Sequence, residues 1–396
     1  MSKEKRRVPK LRFPGFTEDW EQCELEELCN IYDGTHQTPR YTNNGVMFVS
    51  VENIKTLESD KYISEDDFKS EFKISPEYGD ILLTRIGDVG SANIILDNIK
   101  RAYYVSLALL KPKDISSLFL LALLASFSVQ SEIWRRTLHI AFPKKINKNE
   151  IGKVIVNKPS IPEQKKIGEL IYALDRTVTL HQRKLNNLKL KKKALFQKLF
   201  PKNGERYPEL RFPGFTDAWE QRKFGEIMTF LNGRAYKQDE LLEDGKYKVL
   251  RVGNFYTNDS WYYSDLELDD KYYAMNGDLL YTWSATFGPH IWKGEKVIYH
   301  YHIWKLVLQD KIDKLFALQL LEVDKANIMS DKNGSTMVHI TKQGMENKQT
   351  ILPISLNEQK QIAKFLSSMD KLITLHQRKL DHLQLQKKAL LQQMFV

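Results

Sequence analysis

From Ile167 onward the chain places Ile167, Ile171, Leu174, Val178, His181, Leu185, Leu188, Lys192, Leu195 and Leu199 at alternating steps of four and three. That spacing is a heptad seam, the narrow stripe of a long helix that must bury against another helix. The seam returns at Ile362, Leu366, Met369, Ile373, His376, Leu380, Leu383, Lys387, Leu390 and Met394. Gly168 lies near the start of the first helix, and beyond it no Gly or Pro interrupts either seam. A helix of about 38 residues would be roughly 57 Å long. The nearest partner for each seam is the other, giving an intramolecular coiled coil; packing of each helix on its own domain is the alternative. If a pseudo-two-fold axis perpendicular to the helices relates the halves, the two run antiparallel. His181 and His376 read as packed residues that fix register, and Lys192 and Lys387 can snorkel out of the seam.

The stretches before the two helices have a different rhythm. Short β-rich runs alternate with turn signals: "VMFVSV" (46–51), "DILLTRI" (80–86), "YKVLRV" (247–252) and "VIYHYHIWKLVL" (297–308). One helix is expected in each set, around Ser117 to Trp134 and around Asp313 to Lys325. Each region therefore reads as α+β.

The two halves are copies of one another. "PKLRFPGFTEDWEQ" (9–22) returns as "PELRFPGFTDAWEQ" (208–221). "GDILLTRIGDVG" (79–90) pairs with "GDLLYTWSATFG" (277–288), "PEQKKI" (162–167) with "NEQKQI" (357–362), and "TLHQRKL" at 179–185 recurs letter for letter at 374–380. Identity is high in the leaders and helices and low in the strand-rich regions between them.

Composition narrows the function. The 396 residues suffice for two ordinary domains, and 42% hydrophobic with 11% aromatic residues describes folded material. A net charge of +10 favours a polyanionic partner, nucleic acid before an anionic membrane surface. The run "KLKKKALFQK" (189–198) places much of that charge on the helix faces away from the seam. Two cysteines, Cys23 and Cys29, are too few for a zinc ribbon and fit a reducing compartment. The N-terminus shows no secretory signal, and the longest apolar run, "LFLLALLASFSV" (118–129), is too short to span a bilayer and reads as a buried helix. A cytoplasmic location is expected.

No catalytic constellation emerges. There is no phosphate-cradling glycine loop followed by Lys-Ser/Thr. The acidic clusters "SEDDF" (64–68) and "DLELDD" (265–270) lack a matched lysine arrangement, and "HYH" (300–302) has metal-ligand spacing without a third ligand nearby. No metal and no catalytic residue is assigned. The chain reads as a recogniser of two things.

These features resemble the DNA-specificity subunits of type I restriction–modification systems. The duplicated "LRFPGFT-x-x-WE" leaders, the "GD[IL]L" motifs, the "EQ-x-x-I" at each long helix and the repeated "TLHQRKL" carry the resemblance over the whole chain. It implies an α+β chain with two tandem target-recognition domains, residues 1–160 and 207–355, each reading half of a split site in double-stranded DNA. It also implies two long helices, 161–206 and 356–396, paired as an antiparallel coiled coil with pseudo-two-fold symmetry. Two methyltransferase subunits would dock on the helical regions and carry S-adenosylmethionine; two restriction subunits, with ATP and magnesium, can join them. No membrane is involved, and no cofactor is expected in this chain. The candidate DNA contacts are polar and basic residues in loops flanking strands. They are Thr35, His36, Arg40, Arg85, Lys144 and Lys145 in the first region, and Arg234, Tyr236, Arg251, Trp283, Asn333, Ser335 and His339 in the second. Arg85 and Trp283 each follow the shared threonine (Thr84, Thr282) after the "GD[IL]L" motif. The rival readings are a coiled-coil scaffold with an incidental basic surface, and an enzyme with an unrecognised nuclease or methyltransferase site.

Overall fold

The computed structural model of the chain describes residues 7–202, 204–256, 258–284, 286–330 and 340–396. It divides into two compact units, Met1–Arg183 with Arg378–Val396, and Lys184–Gln377. Each long helix, Ile161–Leu199 and Leu356–Gln393, contributes one end to each unit.

In the first unit a four-stranded antiparallel sheet has the order Cys29–Asp33, Leu107–Pro112, Ile81–Thr84, Ala92–Ile94. A smaller sheet sets Val46–Val49 between Tyr62–Ile63 and, in parallel, Arg101–Tyr103. The second unit repeats the larger sheet as Met228–Asn232, Ile303–Leu308, Leu279–Thr282, Gly288–Ile291. Its smaller sheet gains a fourth short strand, Tyr273–Ala274. The apolar run after "GD" in each copy is the middle layer. Ile81 and Leu83 face one core cluster and Leu82 another; Leu279 and Tyr281 face one and Leu280 another. A strand buried on both faces reads as unbroken hydrophobicity.

Two elements differ from expectation. The helix expected over Ser117 to Trp134 is two helices, Ser117–Leu124 and Phe127–Arg136, set at 65°. Ser126 breaks it by accepting the Val129 N–H as a new N-cap. The run 297–308 is likewise two strands, Val297–Tyr299 and Ile303–Leu308, in different sheets. Among the described residues no single helix is long and apolar enough to cross a membrane.

The duplicated leader roots the long helices. In "FPGF" the Pro-Gly pair makes a turn whose glycine needs positive φ, +92° at Gly15 and +91° at Gly214. The preceding arginine then reaches the first turn of a long helix. Arg12 grips Glu163 through Nε–Oε1 at 2.7 Å and Nη2–Oε2 at 2.8 Å. Arg211 grips Glu358 at the same two distances. Both carboxylates are essentially inaccessible to solvent. The neighbouring glutamines tie the same turn to the body. Gln164 receives the Ser116 N–H and donates to Pro159; Gln359 receives the Asp313 N–H and donates to Pro353 and Lys311.

Each leader also receives the end of the other long helix. Leu11 N–H donates to Gln393 in the first unit, and Leu210 N–H to Lys198 in the second. Phe395 packs edge-on to Trp20 (6.1 Å, 88°) and stacks on Phe119 (5.7 Å, 22°); Phe200 does the same to Trp219 (5.9 Å, 87°) and Phe316 (5.7 Å, 22°). Within each unit the helix segments therefore run antiparallel. Ile167 and Ile171 share a core with Met394 and Leu390, and Asp175 pairs with Lys387. Leu199 shares a core with Ile362 and Leu366, and Lys192 pairs with Asp370. The twenty seam positions are all buried or half-buried. Those nearest the helix starts, Ile167, Ile171, Ile362 and Leu366, belong to the domain cores as well as to the helix pair. The seam lysines are thus ion-paired with the opposite helix.

Glu163→Gln would leave Arg12 in its site without a charge partner, and is expected to destabilise the first unit by about 3–5 kcal/mol; Glu358→Gln would do so to the second. Hydrogen exchange during urea unfolding should show each loss confined to its own unit. A loss below about 1 kcal/mol would assign the pair no more weight than an exposed bridge.

Candidate nucleic-acid interface

The antiparallel register brings loops together at one edge of each large sheet. Cys29–Asp33 and Ile81–Thr84 both run antiparallel to the strand between them, so Asp33 and Thr84 end side by side, opposite Ala108 and Leu107. The loops carrying Thr35, His36 and Arg40 and starting at Arg85 leave from that edge. Gly34 is required there because a Cβ would lie 2.5 Å from the Tyr103 carbonyl oxygen. A hairpin carrying Lys144 and Lys145 joins them through Gly87 N–H to Lys144 (2.8 Å) and Ile146 N–H to Arg85 (2.9 Å).

The structure distributes the expected contact residues unevenly. His36, Arg40, Lys144 and Lys145 are exposed, and Thr35 is half-buried with its backbone bridged to Tyr104. Arg85, expected to be presented to DNA, is 7% exposed and turned inward. Its guanidinium is ion-paired with Asp33 and donates to the Ile146 carbonyl. It thus ties together the ends of two strands and the base of the hairpin. Nothing in local sequence shows this, because Asp33 lies 52 residues away.

The second unit builds the same edge from different side chains. Gly233 repeats Gly34, with a Cβ position 2.3 Å from the His300 carbonyl oxygen. Arg234 takes the place of Thr35 but is held in a bidentate pair with Glu240 (2.9 and 2.7 Å) and lies over Tyr236. Tyr236 is half-buried. Arg251 lies over Tyr262 at 4.2 Å. Trp283 donates its indole N–H to the Tyr301 carbonyl, stacks on Trp304 (5.8 Å, 20°) and meets His302 edge-on (5.0 Å). Asn333, Ser335 and His339 lie outside the described residues.

Two further features are exposed aromatic and apolar side chains that are not among the expected contacts. In the second unit Tyr256 is 42% exposed against His290, and Tyr301 is 40% exposed against His300 and His302, whose rings are centred 4.8 Å apart. Burial, with His302 and Arg251 nearby, lowers His300 to about 4; burial, with Lys325, lowers His290 to about 4. At neutral pH these rings are uncharged hydrogen-bonding groups, not phosphate-binding cations. Among the described residues no three His, Cys, Asp or Glu side chains gather as a metal site. In the first unit Ile140 and Phe142 stand fully exposed at the hairpin tip. Their sequence signal was an apolar pair inside a stretch without carboxylates.

Two strand-rich edges with unlike side chains, mounted on like helices by like leaders, define a protein with two distinct recognition surfaces on one duplicated frame. The family model described as the type I restriction modification DNA specificity domain matches twice, over residues 17–190 and 216–385, and the chain belongs to that family. The MjaVIII type I restriction enzyme specificity subunit of Methanocaldococcus jannaschii is 29% identical over 195 residues, 48% of this chain and 45% of that protein. The putative MjaX specificity subunit of the same organism is 24% identical over 94% of this chain and 92% of its own length. Among solved structures, the type I restriction–modification S subunit from M. genitalium superposes with a TM-score of 0.65 at 15% identity, covering 98% of this chain and 99% of that one. A chain from a structural study of assembly and conformational transition of the type I R-M system gives 0.52 at 15% identity, covering 96% and 98%.

His290 and His300 bind protons more readily unfolded than folded. The second unit should therefore lose stability as pH falls from about 6.5, the usual histidine value, toward about 4. Thermal melts across that window should show the fall, and His300→Asn should reduce it. An identical fall in the variant would assign the pH dependence to other groups.

Proposed function

We propose that this chain is the sequence-reading subunit of a type I restriction–modification complex. One unit reads each half of a split site in double-stranded DNA, and the helices set the distance between the halves. The observation that carries this is the pattern of sameness. Leaders and helix roots make matching ion pairs and aromatic contacts and the seams correspond position by position in the two units, whereas the sheet edges carry unlike side chains. Shared parts suit two equal partners, which we take to be methyltransferase subunits supplying S-adenosylmethionine. Restriction subunits, where present, would bring ATP and magnesium. Leu180 and Leu375 occupy equivalent positions on the helices at 61% and 63% exposure, as do Leu190 and Leu385 at 66% and 65%. Matched apolar side chains outside the seam are what two identical docking subunits would use.

The test is the methylome of the host. Deleting the gene should remove one bipartite methylated motif, and replacing residues 22–160 with the corresponding region of a relative should change one half of that motif and leave the other intact. A methylome unchanged by deletion would overturn the reading. Inserting one heptad into both helices adds about 10 Å and should lengthen the unread spacer by about three base pairs of ~3.4 Å each; an unchanged spacer would remove the helices from that role.

A further inference from the structure

We propose that Ile140 and Phe142 form an apolar wedge that enters duplex DNA beside the bases faced by the first unit. The inference rests on the DNA-reading function above and adds a site to it.

The two side chains are 99% and 104% exposed, with Leu138 at 41% and Trp134 at 56% beside them in sequence. Contiguous exposed apolar side chains mark interaction sites. This tip is also held in place. Leu138 N–H donates to Lys145 (2.8 Å), Gly87 N–H to Lys144 (2.8 Å), and the buried Arg85 clasps Ile146 by backbone and guanidinium. Thr137 Oγ1 donates to Ile133 (2.7 Å), His139 meets the Trp134 carbonyl (2.8 Å), and Lys144 lies over the Trp134 ring at 4.7 Å. The fold thus spends a half-buried ion pair and a ladder of backbone bonds on presenting two hydrophobes to solvent.

Charge identifies the occupant. From Ile133 to Asn149 the chain has five Lys and Arg and no Asp or Glu; Arg135 and Arg136 pair with the flanking Glu132 and Glu150, which leaves the cations of Lys144, Lys145 and Lys148 around the tip. Among the described residues neither Lys144 nor Lys145 pairs with a carboxylate. The core of a protein–protein interface is depleted of charge. Duplex DNA offers the matching order of chemistry, apolar base faces between two rails of phosphate. Proteins that insert Phe, Ile or Leu between base steps combine such wedges with flanking cations and kink the helix.

The experiment uses the complex of this chain with its methyltransferase subunits and a duplex carrying the methylated motif, with 2-aminopurine placed in turn through and beside the half-site assigned to residues 22–160. Wild type should raise 2-aminopurine fluorescence at one step. Ile140→Ser with Phe142→Ser should abolish the rise and weaken binding about tenfold or more, with an unchanged slope of log affinity against log salt. Lys144→Ala with Lys145→Ala should instead flatten that slope by about one to two, since each phosphate contact contributes about 0.9. Both apolar side chains are fully exposed, so folding should be unaffected, and circular dichroism checks this. Equal affinity and equal fluorescence in the Ile140/Phe142 variant would overturn the wedge while leaving DNA reading intact. A fluorescence rise absent from wild type would do the same. Intact DNA binding with lost methyltransferase assembly would place the tip at a protein interface and overturn it too. Failure of wild type to bind the motif would overturn the DNA reading itself.

Discussion

Everything in this chain hangs on a carboxylate buried in the first turn of each long helix and the arginine that reaches it from the leader. A helix with a narrow apolar stripe is free to slide and roll unless its root is fixed. Glu163 and Glu358 are solvent-excluded, and a charge so placed is tolerated only when paired and hydrogen-bonded. The arginine supplies both oxygens with an N–H at once, and two parallel bonds fix rotation as well as distance. Placement at a helix N-terminus further favours the negative charge. The partners are 151 and 147 residues apart, so a helix root is complete only when its whole strand-rich region has folded between them.

The same leader holds a second helix by its end, and here connectivity and contact come apart. In the second unit Phe200 is followed within a few residues by the leader it packs against. In the first unit the corresponding Phe395 is the penultimate residue, and its leader lies at the other end of the chain. Yet the aromatic triads agree within a few tenths of an ångström and a few degrees in each matched pair. The geometry is therefore set by the side chains, Trp against Phe against Phe, and not by the covalent link. Edge-to-face and offset-stacked pairs of this kind contribute beyond the area they bury.

The frame was legible in sequence because its signals are periodic or repeated. A seam of fours and threes is local, and a phrase written twice announces a shared job. The breaks were less visible. Residues 297–308 carry the apolar, β-favouring pattern throughout, and only the passage between two layers divides them. Ser126 gives a weak cap signal inside a hydrophobic stretch. Candidate contact residues were the least legible, since loop position and charge cannot reveal a distant partner. Arg85 is a cation at a divergent position, which suits a DNA contact, but Asp33 neutralises it. Arg234 had its partner Glu240 only six residues away, a spacing that local inspection could have weighed. The exposed tip at Ile140 and Phe142 is not legible because an isolated apolar pair has the same sequence signal whether it faces core or solvent.

The matched positions Arg85 and Trp283 show how two copies of one frame come to differ. Both follow the shared threonine and both donate the backbone N–H across the sheet, to Ser106 and His302; the Arg85 side chain is buried, and that of Trp283 is half-buried against the core. What differs is what they hold. Arg85 draws Asp33 and the hairpin base together by charge; Trp283 joins a stack with Trp304 and braces Tyr301 and His302. Divergence at such a position acts on where the neighbouring loops are fixed, and through them on which groups reach the edge. A side chain can thus set what a surface presents without being part of it, and the frame stays constant because its own contacts lie elsewhere, at the leader and the two helix ends.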